Sequence, residues 1–223
     1  MTFNILQWNI RGLRANLEEL LDLTKRCSVG IMAIQDSKLS EGWAPPRGFQ
    51  LLSSEDPSRG ASLFIGNSMR ATKLNLNTNL VAVAARIFCP KAVTVCCIYL
   101  LPGENMSRNS FIDFVQQLPK PYIILGDFNV YSPLWGDERL DQRGKMIEDF
   151  LISNDDILLN DKVPTFIHSA SGSTSAIDLI IASPTVALDY SWSVHDDLCG
   201  SDHFPIILSC NTNVGQDDAT FNF

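Results

Sequence analysis

The run Pro121, Tyr122, Ile123, Ile124, Leu125, closed by Gly126, constrains this chain more than any other stretch. A short, unbroken apolar run between turn formers reads as a strand covered on both faces, so its sheet must lie between other layers. Similar β-branched and aromatic runs recur at 3–10, 29–35, 61–66, 80–88, 92–101, 155–159, 175–183, 186–194 and 204–210. Three amphipathic helices are expected among them. Leu17, Leu20 and Leu21 follow Asn16, with Glu19 completing a capping-box-like start. Phe111, Phe114, Val115 and Leu118 form a stripe behind Ser107 and Ser110, and Ile147, Phe150 and Leu151 form a third behind Asp141. Strands outnumber helices without a regular βαβ wind, which indicates a mixed α/β domain. Loops rich in Gly, Pro and Ser fall at 37–48, 55–60, 102–110 and 169–174, and no short-period repeat occurs. The hydrophobic pattern stops near residue 211, so a domain over 1–211 and a linker over 212–223 are expected.

At 223 residues and 45% hydrophobic composition, one domain with a sizeable core is expected. No apolar run reaches the length of a membrane-spanning helix, and no signal peptide is expected. The six cysteines show no C-x-x-C spacing, which favours reduced, mostly buried thiols in an intracellular protein. Cys96 and Cys97 adjoin in a β-like run and should face opposite ways. A net charge of −8 argues mildly against bulk attraction to DNA or anionic membranes. It leaves room for a local basic groove, and a metal-dependent phosphodiesterase itself concentrates carboxylates.

Polar residues gather where strands end. Asn9 closes the first, Asp36 follows the second, and Tyr99 lies near the end of "VTVCCIYLLPG". Asp127 and Asn129 follow "YIILG", Asp178 interrupts "SAIDLIIAS", and Ser201, Asp202 and His203 precede "FPIILSC". Strand ends are where loops converge on a rigid frame. Taken singly, each residue has a bland reading: a turn former, a helix cap, a structural histidine. Asp178 is more telling, because a carboxylate inside an apolar strand needs a partner. The ordered set suits metal-assisted phosphoryl chemistry.

The segments Gln7-Trp8-Asn9, Gln35-Asp36, Tyr99, Gly126-Asp127-Phe128-Asn129, Ile177-Asp178-Leu179 and Ser201-Asp202-His203 resemble the exonuclease–endonuclease–phosphatase superfamily, which includes deoxyribonuclease I and the apurinic endonucleases. "PLWG" (133–136), "QRGK" (142–145), "PTF" (164–166) and "STSAIDLIIAS" (173–183) resemble the endonucleases of non-LTR, LINE-type retrotransposons, jockey-like ones in particular. The likeness covers about 3–210, and the tail "ATFNF" is similar to the start of a link toward a reverse transcriptase. The resemblance implies a four-layer α/β sandwich, two face-to-face mixed sheets flanked by helices, with the site at one edge. It implies nicking of double-stranded DNA that leaves a 3′-OH to prime reverse transcription, with Mg²⁺ required and Mn²⁺ able to substitute. It further implies a polyprotein partner region with polymerase activity, an isolated domain that is monomeric, no membrane attachment, and action on chromosomal DNA in the nucleus after synthesis in the cytoplasm.

On the same footing, Asp36, Asp202 and Asn9 are expected at the metal, which prefers oxygen donors. Asp127, Asn129, Asp178, His203, Tyr99 and Asn9 form the expected catalytic set, with Asp127 acting on the attacking water and Asp178 orienting His203. Thr165, Ser201, Arg11 and Arg143 are the expected substrate contacts, and Arg14 and Lys145 are further phosphate candidates. Two departures stand out. The family usually carries Gln-Glu where this chain has Gln35-Asp36, and often has histidines where it reads Val130, Tyr131, Ser132. The shorter carboxylate keeps two alternatives open: a DNA-targeting module with weakened catalysis, and a relative acting on another phosphoester.

Overall fold

The computed structural model describes residues 3–40, 42–55, 60–89, 91–104 and 106–211. Two six-stranded sheets form the frame. The first contains β1 (Asn4–Asn9), β2 (Val29–Gln35), β3 (Phe49–Ser53), β4 (Ser62–Gly66), β13 (Tyr190–Val194) and β14 (Ile206–Cys210), in the order β13-β14-β1-β2-β4-β3. The second contains β5 (Arg70–Lys73), β6 (Val81–Cys89), β7 (Lys91–Tyr99), β8 (Tyr122–Asp127), β9 (Ile157–Leu158) and β12 (Asp178–Ala182), in the order β5-β6-β7-β8-β12-β9. Both sheets are mixed, since β1 runs parallel to β2 and β7 parallel to β8, while the other pairs are antiparallel. A two-stranded hairpin, β10 (Phe166–Ile167) with β11 (Thr174–Ser175), stands apart.

Alternation along the strands makes the layers. Ile5, Ile31, Ala33, Val95, Cys97, Ile123, Leu125 and Ile180 point into the space between the sheets and form its core. Their neighbours in sequence point outward. Leu6, Trp8, Met32 and Ile34 meet helix α1 (Leu17–Arg26) through Leu20 and Leu23. Cys96, Ile98, Ile124 and Leu179 meet α2 (Arg108–Gln116) and α3 (Gln142–Asn154) through Phe111, Phe114, Ile147 and Phe150. The result is the four-layer sandwich, with Cys96 and Cys97 in different layers as their adjacency requires. Cys27, Cys96, Cys97 and Cys199 are free thiols.

The helix caps divide two to one. Ser107 and Ser110 form a reciprocal capping box on α2, and the Asp141 carboxylate accepts from the Gly144 N–H on α3. Asn16 precedes α1 but makes no cap bond: its Nδ2 donates to the carbonyls of Ile10 (2.8 Å) and Gly200 (3.4 Å). Other expectations need correction. Two edge strands, β3 and β5, fall where none was expected. The run 175–183 divides into β11 and β12, and 155–159 shrinks to β9. The run 186–194 begins in a short helix, α4 (Pro184–Ala187), because Pro184 presets its first turn and Val186 and Ala187 bond back to the Ser183 carbonyl. The expected linker beyond 211 lies outside the described residues. Among the described residues, no helix is long and apolar enough to cross a membrane.

Gly126 does not release β8; the strand runs on to Asp127, paired with Tyr99 on one side and Asp178 on the other. Glycine is needed because a Cβ there would lie 1.8 Å from the Ile98 carbonyl oxygen. At Gly103 a Cβ meets nothing within 4 Å, and only the positive φ of 77° opposes a side chain. Gly126→Ala should therefore destabilise the protein at or beyond the upper end of the ~1–3 kcal/mol usual for overpacking. Gly103→Ala should cost about 1–2 kcal/mol, the left-handed backbone penalty. Urea unfolding of both variants checks the order, and equal midpoints would show that β7 can move away from β8.

Candidate active site

The parity that builds the core also builds the site. Continuing each inward series by one or two steps gives Gln7 and Asn9 on β1, Gln35 on β2, Tyr99 on β7, Asp127 on β8 and Asp178 on β12. The registers align them, because Asn9 pairs with Gln35, Tyr99 with Asp127, and Asp127 with Asp178. The inter-sheet core thus ends in a polar layer at one edge of the sandwich, and β14 begins there after Ser201, Asp202 and His203.

Asp178 is the most heavily bonded member. It has no exposed surface, and its Oδ2 accepts from the Thr165 hydroxyl (2.7 Å) and lies 2.8 Å from His203 Nδ1. Its Oδ1 accepts from Gln7 Nε2 at 3.0 Å. An ionised carboxylate in this setting is compensated by three donors. With Nδ1 committed to Asp178, His203 turns Nε2 toward Asp127 Oδ2, 3.9 Å away, and Asp202 Oδ1, 4.0 Å away. Asp127 is held in turn by Asn9 Nδ2 on Oδ2 (2.8 Å) and by the Asn129 N–H on Oδ1 (3.0 Å), while Asn129 Nδ2 donates to the Leu100 carbonyl (3.0 Å).

Burial and mutual charge displace the acid–base properties of this group. Desolvation pushes the Asp127 carboxyl up to about 7, with Asp178 adding to the rise and His203, Asn9 and the Asn129 amide opposing it. Desolvation alone would lower the His203 pKa, but Asp178, Asp127 and Asp202 together outweigh it and raise it to about 9. Tyr99 is raised by burial and by Asp127 and Asp36, so its phenol stays a donor at neutral pH.

The other expected residues divide by what they touch. The Thr165 hydroxyl is buried on Asp178, from which it also accepts an N–H bond (3.1 Å), so it fixes the carboxylate instead of facing outward. Ser201 likewise donates to the Asn9 carbonyl (2.7 Å) and accepts from the His203 N–H (3.2 Å). Arg143 donates to the carbonyls of Leu101 and Phe128, both at 3.2 Å, and so ties together the loops after β7 and β8. Arg11 is exposed and paired with Asp202 at 2.7 Å. Arg14 bonds Ser40, and Lys145 pairs with Glu148 and Asp149 on its own helix. Asp36 lies beside Tyr99 in a cleft of about 500 Å³ and is paired with Lys38 at 3.0 Å.

Asp127, Asp178 and His203 each offer a ligand atom within 4.8 Å of the others, a group able to hold a metal ion. The oxygen donors Asp36, Asn9 and Asp202 also fit a hard cation. Among the described residues Asp202 Oδ1 is buried without a hydrogen-bond partner, and Asn9 Oδ1 accepts a long bond (3.3 Å) from the Arg11 N–H. Sequence reasoning missed three contributors. Lys38 sits two residues beyond Asp36, and the Phe166 ring packs 4.6 Å from the His203 ring, held by a bridge between those residues. The third is Gln7, noticed only as part of a motif. Arg11, Asp36, Lys38 and Asn129 all have φ between 48° and 52°, an uncommon conformation that Ser28, Asp155, Lys162 and Cys199 share elsewhere in the chain.

Comparison with known proteins bears on the family and the fold. Along 92% of its length the chain is 27% identical to the RNA-directed DNA polymerase from the mobile element jockey of Drosophila melanogaster, covering 23% of that protein. It is 24% identical, over 96% of its length, to the probable RNA-directed DNA polymerase from transposon X-element of the same fly, covering 25%. The chain therefore spans about a quarter of the length of these curated relatives. Its fold matches the endonuclease domain of TRAS1, a telomere-specific non-LTR retrotransposon, with a TM-score of 0.80 at 23% identity, over 94% of this chain and 99% of that one. It also matches an AP endonuclease from Leishmania major with a TM-score of 0.77 at 12% identity, over 95% and 88%. The defining pattern of the endonuclease–reverse transcriptase family matches residues 93–207, just over half of the chain and the span that carries Tyr99, Asp127, Asn129, Asp178 and His203. The chain belongs to the endonuclease–reverse transcriptase family.

Proposed function

We propose that this chain is a metal-dependent endonuclease that nicks double-stranded DNA and leaves a 3′-OH, which primes reverse transcription by a polymerase region of the same polyprotein. Nuclear action on chromosomal DNA, after synthesis in the cytoplasm, belongs to this reading. The observation that carries it is the linked set Asn9–Asp127, His203–Asp178 at the sheet edge. Its raised carboxyl and raised imidazole form an acid–base pair displaced in a useful sense.

In the proposed reaction a water oxygen bonds to phosphorus, the bond from phosphorus to the 3′ oxygen breaks, and the departing oxygen takes a proton from solvent to become the 3′-OH. Asp127 accepts the water's proton, and a carboxylate near pH 7 in basicity is suited to that task. Asn9 and Asn129 fix both its oxygens, so little reorganisation remains. His203, kept cationic by Asp178, offers its Nε2 proton to a phosphate oxygen, and the neutral Tyr99 phenol offers another. Asp36, Asn9 and Asp202 would hold Mg²⁺, with Mn²⁺ able to replace it, and the ion would supply Lewis-acid stabilisation of the phosphate and the leaving oxygen. Arg11 is free to reach a backbone phosphate once Asp202 turns to the ion, whereas Thr165, Ser201 and Arg143 act by holding the frame. A second reading, a DNA-targeting module with weakened catalysis, is favoured by one observation: the shortened carboxylate of Asp36 is already paired with Lys38.

Supercoiled plasmid separates the two. The parent should nick it with Mg²⁺ or Mn²⁺ and not with EDTA, and Asp127→Ala or His203→Ala should lower the rate at least ~100-fold. Plasmid left intact under every metal condition would overturn the nuclease reading. Asp36→Glu should reduce the Mg²⁺ concentration needed for half-maximal nicking, and Asp36→Ala should raise it. Identical metal curves for all three proteins would remove Asp36 from the metal site. Without metal, the two displaced groups act on stability in the same direction. Asp127, raised from 3.8 to about 7, opposes folding increasingly as pH rises through that interval. His203, raised from 6.5 to about 9, contributes stability that is complete below 6.5 and lost as pH rises through 9. The urea midpoint in EDTA should therefore fall steadily from pH 6.5 to 9, and His203→Gln should flatten that slope.

A further inference from the structure

Gln7 has no exposed surface and occupies an inward position of β1, where its inward neighbours Ile5, Ile31, Leu125 and Ile180 are apolar. Its amide crosses the gap between the sheets. Both Nε2 protons are used, one on Asp178 Oδ1 and one on Gln35 Oε1, each at 3.0 Å. Gln35 is itself buried, with Nε2 on Cys97 Sγ (3.0 Å) and the Ala33 carbonyl (3.3 Å), and it directly precedes Asp36. Gln7 Oε1, by contrast, has no partner among the described residues. Turning the amide over would set that oxygen against a carboxylate and a carbonyl oxygen, so only this orientation is tolerated. A core position that accepts an unpartnered carbonyl in order to spend both donors on neighbouring oxygens is built around those donors.

We propose that Gln7 is a positioning residue for the Asp178–His203 pair. Its amide holds Oδ1, so that Oδ2 can stay in line with His203 Nδ1. Through Gln35 it also couples that pair to the strand end that carries Asp36. Thr165 alone cannot do this, because it bonds the same Oδ2 that His203 uses and leaves the carboxylate free to swing about that oxygen. The kinetic part of this inference rests on the nuclease reading above; the structural part does not.

The test uses Gln7→Met, close in volume without a donor, and Gln7→Thr, a strand former too short to reach Asp178. Single-turnover nicking of a defined duplex should fall roughly 10–100-fold, the scale seen when a histidine's orienting partners are lost. KM should stay within about twofold, because no substrate contact is removed. In an Asp178→Asn background the Gln7 changes should add nothing. In the metal-free chain, the low-field proton resonance of the His203 Nδ1–H···Asp178 bond should shift or broaden in the Gln7 variants. Unchanged rate with unchanged resonance overturns the proposal, as does an equal loss of rate in both backgrounds. A parent that does not nick overturns only the nuclease reading, and the His203 resonance then decides the role of Gln7.

Discussion

A carboxylate with no exposed surface, set at the start of a strand inside a two-sheet sandwich, is the constraint from which the rest of this site follows. Without compensation, burying that charge would cost more than most single interactions in the domain return. Asp178 is compensated by donors from three separate places: β1, the segment before the β10–β11 hairpin, and the loop before β14. Each donor is held by something else. Trp8 donates from its indole to the His203 carbonyl at 2.8 Å, the Phe204 N–H bonds the Thr165 carbonyl, and Ile167 bonds the Asp202 carbonyl. The charge therefore does more than survive burial. It fixes how the two sheets and the hairpin meet, and that meeting is the site.

Much of this was legible in the chain. Apolar alternation told which strands have two covered faces, and polar residues at strand ends told where the sandwich stops being dry. Edge strands were harder. β5 reads "RATK" and is largely exposed, so it carries no apolar period, and only pairing with β6 makes it a strand. Between Ala182 and Tyr190, a run that reads as strand gives way to a turn of helix because one proline outweighs the β preference of Val186. At the site, residue types were readable but partners were not. Thr165 and Ser201 look like phosphate contacts in sequence, since a hydroxyl beside a motif suits either task. Only the fold shows that Thr165 has spent its hydroxyl on Asp178, and Ser201 on the Asn9 carbonyl and the His203 amide.

The acidic total of the chain acquires a local meaning from the same contacts. Arg11 rests on Asp202, Lys38 on Asp36, and Lys145 on Glu148 and Asp149, so three of these cations are already matched to carboxylates, while Arg14 and Arg143 bond a hydroxyl and backbone carbonyls. Exposed pairs of this kind are weak and easily exchanged. On the proposed function, a polyanion and a divalent cation arriving together would exchange partners with them, the phosphates taking the side-chain cations and the metal taking the carboxylates. Such an exchange would need no strong basic patch, and weak, salt-sensitive association would be its consequence.

The distribution of strain explains where this chain could depart from its relatives. Asp127 and Asp178 lie in strands, paired to each other across the β8–β12 ladder, and Gly126 beside them lets the Ile98 carbonyl of β7 approach closely. A methylene added or removed there would displace a charge with nothing to take up the error. Asp36 is placed differently. It follows the last residue of β2, in a left-handed conformation with φ 49°, and Lys38 two residues on has φ 48°. The loop lies beyond the ladder but is tied to its neighbours, with the Gly12 N–H on the Asp36 carbonyl (2.8 Å) and the Leu13 N–H on the Ser37 carbonyl (3.0 Å). Its neighbour Lys38 stands ready to neutralise whichever carboxylate is presented. On the proposed function, the strand-borne pair holds the groups whose direction matters, and the segment after β2 holds the carboxylate that would reach an ion. The aspartate that departs from the Gln-Glu of the resembled family thus follows a strand instead of lying in a ladder, as Asp127 and Asp178 do.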